Sequence, residues 1–364
     1  MNTENRTAHA GRATYRDAGV DINAADAAKQ RIAELVAATH GPQVLRGVGH
    51  FGGFFQAPGP DNPFVLVSSA DSVGTKILVA EMAGQHASIG VDLVNHCVND
   101  ILACGARPLF FLDYIAAERF APGLIEELIR GMTAACRAAG CALIGGETAQ
   151  LPGIYQPGTY DLAGFIVGVV HRDLIVDGAT IQPGDVLVGL PSSGLHTNGY
   201  SLARVAFGLH AGDPEARAKL AATPSWADRP LGELLLEPHR SYLPLIEPLL
   251  DSGLLRGMAH ITGGGIAGNV QRVIPEGLEA IIDVRTWEPP ALFRGLQQAG
   301  GIDTAEMYRV FNMGVGFVMI VRPDDAQRLT SQVDGARIIG EVQAAREPHG
   351  ARARYVGLAD AGGV

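Results

Sequence analysis

Apolar positions first recur at helical spacing in AADAAKQRIAELVAATHG, where Ala28, Ile32, Leu35 and Val36 share a face and Gly41-Pro42 supplies a stop. Apolar runs at 64–68, 108–115, 141–145 and 161–170 read as strands, and the stretches near 76–83, 90–104 and 122–139 between them as helices. Such alternation predicts a mixed α/β unit. From about residue 171 the texture changes. HRDLIVDGATIQPGDVLVGL mixes short apolar pieces with turn residues, and Pro183-Gly184 marks a turn. A boundary there separates 14–173 from 174–364, after a polar tail at 1–13 expected to be disordered. The second part repeats the α/β logic, with strand 186–190, helix 199–208, an apolar helix at 241–251, a glycine loop at 263–265, and strands 280–284 and 314–321.

One helix is unusual on its polar side. In GVDLVNHCVNDILACG, Asp92, Asn95, His96, Asn99 and Asp100 fall at i, i+3, i+4, i+7 and i+8, opposite Leu93, Val94, Cys97, Val98, Ile101 and Leu102. An amphipathic surface helix would account for the pattern. A solvated face, however, usually carries long Lys, Glu and Arg chains, and this one carries short acids, amides and an imidazole, which favours a functional face.

Composition narrows the classes. A chain of 364 residues suggests two domains, and an apolar content of 47% is ample for two cores. A net charge of −10 gives no basic surface for nucleic acid, yet leaves room for phosphorylated ligands held by local Lys, metal ions and helix N-termini. Cys97, Cys104, Cys136 and Cys141 lack the CxxC spacing of a zinc or redox site and read as reduced thiols. The polar opening MNTENRTAHAGR has no secretory h-region and no run of 18 apolar residues occurs, so a cytoplasmic protein with no membrane span is expected.

The chemistry concentrates in a few segments. DSVGTK follows the run PFVLVSS, but its order is Gly74-Thr75-Lys76 and position 69 is Ser, so it is not a Walker A loop. It places Asp71 near Thr75 and Lys76, a set able to hold a metal and phosphates together. In CALIGGETAQLPG a strand runs into Gly145-Gly146 and then Glu147. Asp71, Asp100 and Glu147 together suit Mg²⁺, which takes one or two carboxylates with water and nucleotide phosphate oxygens. Further on, LPSSGLHTNGYSL crowds Ser192, Ser193, His196 and Asn198 at a helix start, and HITGGGIAGN does the same with Thr262 and Gly263 to Gly265. Each reads equally well as a capped helix start; two in one domain strengthen the phosphate reading.

In order and spacing, YRDAGVDI, DSVGTK, VNDILACGARPLFFLDY, GGETAQLPG, YDLAGFIVGVV, SSGLHTNGYSL, HITGGG and MYRVFNMGVG resemble the aminoimidazole ribonucleotide synthetase family, the phosphoribosylformylglycinamidine cyclo-ligases, from about residue 14 to about 345. Ser72 stands where the family usually has Gly, and Gln150-Leu151 where it usually has Glu-Met. The resemblance implies ATP- and Mg²⁺-dependent ring closure of formylglycinamidine ribonucleotide. It also implies a homodimer whose N-terminal sheets join into a barrel, with a helix-covered C-terminal sheet. It assigns the metal to Asp71, Asp100 and Glu147. Nucleotide contacts fall to Thr75, Lys76, Asn99 and the 47–53 loop with Gly49 and Gly52. Proton transfer or amide orientation falls to His196, with Lys76 and Asp100 beside the reacting phosphate. The ribose phosphate falls to Ser192, Ser193, Asn198, Thr262, Gly263, Gly264 and Gly265. The arm 14–22 is expected to close over the nucleotide. Selenophosphate synthetase and thiamine-phosphate kinase, ATP-using members of the same superfamily, are the alternatives.

Overall fold

The computed structural model describes residues 13–46, 49–59, 61–347 and 352–358. Helix α1 (Ile22–Ala37) starts where the Asp21 carboxylate accepts the free N–H of Ala24 at 3.1 Å. Strands β1 (Val44–Arg46), β2 (Gly53–Gln56) and β3 (Phe64–Ser72) follow, then helices α2 (Lys76–Ala83) and α3 (Ala87–Leu102). Strand β4 (Arg107–Ala117), helix α4 (Leu124–Ala138) and strand β5 (Ala142–Gln150) form a parallel crossover, and β6 (Tyr160–His171) returns antiparallel between β3 and β4. The first sheet therefore runs β1-β2-β3-β6-β4-β5.

Among the described residues, only one face of this sheet is covered. Along β6, residues alternate buried and partly open without a break, and Leu162, Ile166 and Val170 point into the core. Helix α3 lies over that inner face through Leu93, Val94, Cys97, Val98, Ile101 and Leu102, all fully buried. Against α3 packs α4. Their backbones meet so closely that a Cβ at Gly90 would stand 2.1 Å from the Leu128 carbonyl oxygen and one at Gly131 would stand 2.5 Å from that of Ala87. On the outer face Phe55, Phe64 and Phe165 remain 45%, 48% and 45% exposed.

The second sheet is built from β7 (Val186–Pro191), β8 (Gly257–His260), β9 (Leu278–Asp283), β10 (Val315–Val321), β11 (Arg337–Ala344) and β12 (Ala353–Val356), in the order β12-β9-β11-β7-β10-β8. Every residue of β10 is buried, as both faces of the sheet's centre are covered. Between β7 and β8 come the short helices α5 (Tyr200–Ala206), α6 (Ala216–Ala221), α7 (Leu231–Leu236) and α8 (Leu243–Ile246). Helix α9 (Gly265–Val270) follows β8; α10 (Ala291–Gly300) and α11 (Thr304–Val310) precede β10, and α12 (Pro323–Gln332) follows it.

Several sequence expectations need correction. The apolar helix at 241–251 is α8 followed by a 3₁₀ turn at 247–252, because Pro248 has no N–H to give and its ring crowds the preceding turn. Strand β3 runs on to Ser72 and β5 to Gln150, so Asp71 and Glu147 both stand in strands rather than in loops after them. Polar residues stay in the ladder there because its hydrogen bonds are made by the backbone. No helix among the described residues is long and apolar enough to cross a membrane.

Candidate active site

The polar side of α3 is not solvated. An extended segment, 237–242, runs along it, and the short side chains of the helix satisfy its backbone. Asp92 accepts the N–H of His239 at 2.7 Å, and Asn95 donates to the His239 carbonyl at 2.7 Å. Asn99 donates to the Arg240 carbonyl at 2.8 Å and accepts the N–H of Tyr242 at 2.9 Å. Residues of this reach are needed because a longer side chain would push the segment off the helix. Asn99 was expected on the nucleotide; here it is fully buried, with both ends of its amide engaged by the protein.

Lys76 also departs from expectation. It is fully buried, its Nζ lying 2.7 Å from the Asp92 carboxylate and donating to the Glu237 carbonyl at 2.8 Å. Burial pulls the Lys76 ammonium below its ordinary value and pushes the Asp92 carboxyl up to about 6, with the mutual attraction opposing both shifts. The ammonium therefore serves a buried pair and not an open phosphate site.

His96 and Asp100 reach past this segment into a cluster of imidazoles. His96 Nε2 lies 2.7 Å from the Asp71 carboxylate, and its Nδ1 is 2.7 Å from the Thr197 hydroxyl. That hydroxyl is 3.3 Å from His239 Nδ1, His239 Nε2 is 3.0 Å from His260 Nε2, and His260 Nδ1 is 2.8 Å from Asp100 Oδ1. Asp100 Oδ2 accepts from the Ser69 hydroxyl at 2.9 Å. A chain of groups thus joins two carboxylates, and its protons can be assigned by counting donors. Five contacts each need one proton, whereas three neutral imidazoles and one hydroxyl bring four. The fifth proton has to come from an imidazolium or from a protonated carboxyl. Burial pulls all three imidazoles down, but the Asp71 carboxylate overrides it at His96, which is raised to about 9, while His239 and His260 stay below the ordinary value. The charge rests on His96, so the Thr197 hydroxyl donates towards His239.

The sign of the resulting pH dependence is fixed. His96 holds its proton more tightly folded than unfolded, so its contribution is complete below the unfolded value near 6.5 and is lost as pH rises through about 9. Urea unfolding of the ligand-free protein should show stability falling across that window, by at most about 3 kcal/mol. In His96→Gln the slope there should flatten; an unchanged slope would mean that His96 is neutral.

His196 sits against this chain, its ring stacked 4.0 Å from that of His239. Its φ of +61° is one of three positive values among the described non-glycine residues, the kind of local strain that surrounding contacts must hold in place. The N–H of Ser193 donates to His196 Nε2 at 3.2 Å, which leaves the ring proton on Nδ1, and Nδ1 is buried with no partner. Burial also holds the ring well below its ordinary value, so His196 is a neutral donor. Ser193 Oγ donates to the Pro238 carbonyl at 2.6 Å and Ser192 Oγ to Asn312 Oδ1 at 3.0 Å. Asn198 meets the second glycine loop: a Cβ on Gly263 would stand 3.3 Å from its Oδ1. Gly264 and Gly265 follow at φ +101° and +65°, leading into α9. Thr262 Oγ1 donates to Asn269 Oδ1 at 3.1 Å.

The three expected metal ligands do not converge within one chain. Asp71 stands opposite Gly164, which is opposite Asp113, which is opposite Gly146; partners in one row share a face, so Glu147, the next residue, points to the other. It is also three strands from Asp71, about 14 Å at the usual spacing. Asp71 and Asp100 remain on the inner side, joined through the imidazole chain. Thr75 Oγ1 lies 3.0 Å from Ser201 Oγ. Gly49 and Gly52 line a cavity of about 610 Å³ with Phe51, Phe55, Ser68 and Ser69, which brings it next to Asp100. Gly47 lies outside the described residues, as does most of the 1–13 tail. The arm beyond it docks on the second half of the chain: Tyr15 N–H donates to Glu306 at 2.9 Å and Arg309 to Asn23 at 2.7 Å.

Sequence reasoning overlooked Thr197, His239 and His260. Thr197 lay within a motif already quoted, whereas EPHRSY around His239 carries no periodicity and acquires meaning only against α3.

This two-sheet arrangement, with its loops meeting beside α3, defines the AIR synthase related class. The model of that family's N-terminal domain matches residues 59–170 and that of its C-terminal domain residues 182–350. Within that class, the sequence is 47% identical over 336 residues to a phosphoribosylformylglycinamidine cyclo-ligase of Myxococcus xanthus, covering 91% of this chain and 96% of the relative. It is 48% identical over 334 residues to that of Pseudothermotoga lettingae, covering 90% and 96%. The chain belongs to the phosphoribosylformylglycinamidine cyclo-ligase family. Solved structures of Escherichia coli HypE, a hydrogenase maturation protein (TM-score 0.56, 19% identity, 80% of this chain and 82% of that one), and of AaThiL complexed with AMPPCP and TMP (0.57, 14%, 88% and 91%) share the fold.

Proposed function

We propose that the protein converts formylglycinamidine ribonucleotide to aminoimidazole ribonucleotide, using ATP and releasing ADP and phosphate. The observation that carries this is the near-complete match to cyclo-ligases at 47% identity, with the SSGLHTNG and TGGG loops meeting beside Asp71 and Asp100. The amide oxygen attacks the γ-phosphorus and ADP leaves. The neighbouring nitrogen then attacks the imidate carbon, the C–O bond breaks, phosphate departs and the nitrogen loses a proton. Such a transfer needs mostly positioning and neutralised charge.

Residues 14–173 supply the nucleotide side in this reading and 174–364 the substrate side. Gly49, Gly52 and Thr75 face the nucleotide. The loops at 192–198 and 262–265 take the ribose phosphate through their N–H groups, hydroxyls and the Asn198 amide. His196 Nδ1–H, a buried donor without a partner, orients the amide oxygen. Asp71 and Asp100 offer the oxygen donors that suit Mg²⁺, and each keeps lone pairs beyond its contacts to His96, His260 and Ser69. That ion would offset triphosphate charge when bound. ATP as the nucleotide is supported by family membership and by the AMPPCP in the AaThiL structure.

One assay tests the activity: ATP, Mg²⁺ and formylglycinamidine ribonucleotide, with ADP and aminoimidazole followed together. Equal yields are expected, and ADP formation indifferent to the ribonucleotide would overturn the reading. His196→Ala should slow aminoimidazole formation while leaving nucleotide affinity unchanged.

The uncovered face of the first sheet supports a homodimer in which two such faces close into a barrel. Phe55, Phe64 and Phe165 on that face, with Ile144 59% exposed at the β5 bulge, make an apolar surface unsuited to water. Light scattering should give twice the 38.2 kDa chain mass, and a fully active species of the single mass would exclude this assembly.

A further inference from the structure

Arg272 lies just beyond α9 in the second half of the chain, yet its side chain closes on the first. Nε donates to the Gly49 carbonyl at 3.1 Å, Nη2 donates to the His50 carbonyl, and the guanidinium stacks 4.0 Å from the centre of the Phe51 ring. Its Nη1 reaches back 3.5 Å to Asn269 Oδ1. Asn269, 1% exposed, holds the other loop: its Nδ2 donates to the carbonyls of Thr262, Gly263 and Gly265 at 3.1, 3.3 and 2.9 Å. Two adjoining side chains therefore grip the loop that lines the 610 Å³ cavity and the loop that carries TGGG.

The physics of the two loops makes this grip consequential. Gly49 stands at φ +129°, a conformation with no side chain to hold it, so its placement depends on what binds its carbonyl. A guanidinium is a rigid planar fork, and fixing one edge fixes the direction of the other. Movement of the TGGG carbonyls would shift Asn269, and with it the Nη1 corner of the rigid fork whose Nε and Nη2 hold Gly49 and His50.

We propose that Arg272 is a positioning residue that couples the two loops, so that a phosphate-bearing ligand on the 262–265 loop orders the 49–53 loop for the nucleotide. The inference rests on the reading of these loops given under Proposed function. The ligands then bind with positive cooperativity, and linkage requires the effect to be reciprocal. A residue that only buttressed the 49–53 loop would weaken the nucleotide by the same factor whether or not the second ligand was present.

Calorimetry on the full chain tests the coupling. The affinity of Mg·AMPPCP is measured with and without saturating formylglycinamidine ribonucleotide, and the reverse titration is run as a check. In the parent each ligand should tighten the other by about tenfold. Arg272→Met keeps a long unbranched apolar side chain but loses the fork and its stacking on Phe51, so its coupling should fall to within about twofold of none, with Arg272→Lys between the two. Two results would overturn the proposal: a parent that binds both ligands independently, which needs no variant to establish, or an Arg272→Met protein that keeps the parent's coupling. If either ligand fails to bind the parent at all, the functional reading of the loops falls first and the coupling with it.

Discussion

Lys76→Met is expected to destabilise the protein by about 3–5 kcal/mol, the range found when one partner of a buried ion pair is removed. Methionine fills the space of the lysine stem, so the loss is not a packing defect. It comes from the Asp92 carboxylate, fully buried and left with one backbone donor, the N–H of His239. Because burial already pushes Asp92 up to about 6 with Lys76 beside it, losing the ammonium should make it take up a proton near neutrality. The double variant Lys76→Met/Asp92→Asn retains an acceptor for His239 and removes the charge, and should recover most of the loss. Urea unfolding of the parent and both variants measures this. A single variant within about 1 kcal/mol of the parent that loses Mg·ATP affinity would return Lys76 to the triphosphate and refute its structural role.

The largest effect on turnover is expected at Asp100. In Asp100→Asn the amide can preserve the local bonds, its oxygen accepting from His260 Nδ1 and its nitrogen donating to the Ser69 hydroxyl. The fold should therefore change by no more than about 1 kcal/mol. What disappears is the anion. With Asp100 proposed as a ligand of the triphosphate's Mg²⁺, product formation should fall by about two orders of magnitude or more, with calorimetric Mg·nucleotide affinity falling too. Folding and catalysis are thus separated by one atom exchange. An Asp100→Asn protein that binds Mg·ATP and turns over like the parent would remove Asp100 from the metal site.

The sequence by itself determined the elements whose signal is local. The periodicity of α3, the apolar runs of β4 and β6, and the glycine-rich loops before α5 and α9 were legible because each depends on residues a few positions apart. The unusual chemistry of the α3 polar face was legible too, since Asp92, Asn95, His96, Asn99 and Asp100 are too short to be ordinary solvated residues. What those residues touch was not. Asn95 and Asn99 meet backbone more than 140 residues away, Lys76 meets Asp92 and Glu237, and His96 is joined to His260 through Thr197 and His239. Glu147 shows the same limit from the other side: its motif is plain in the sequence, but the face it occupies follows from the register of four strands, and a shift of one residue would reverse it. Local spacing sets which way a side chain points along its own element. Only the packing of one element on another decides whether it finds water, backbone or a second charge.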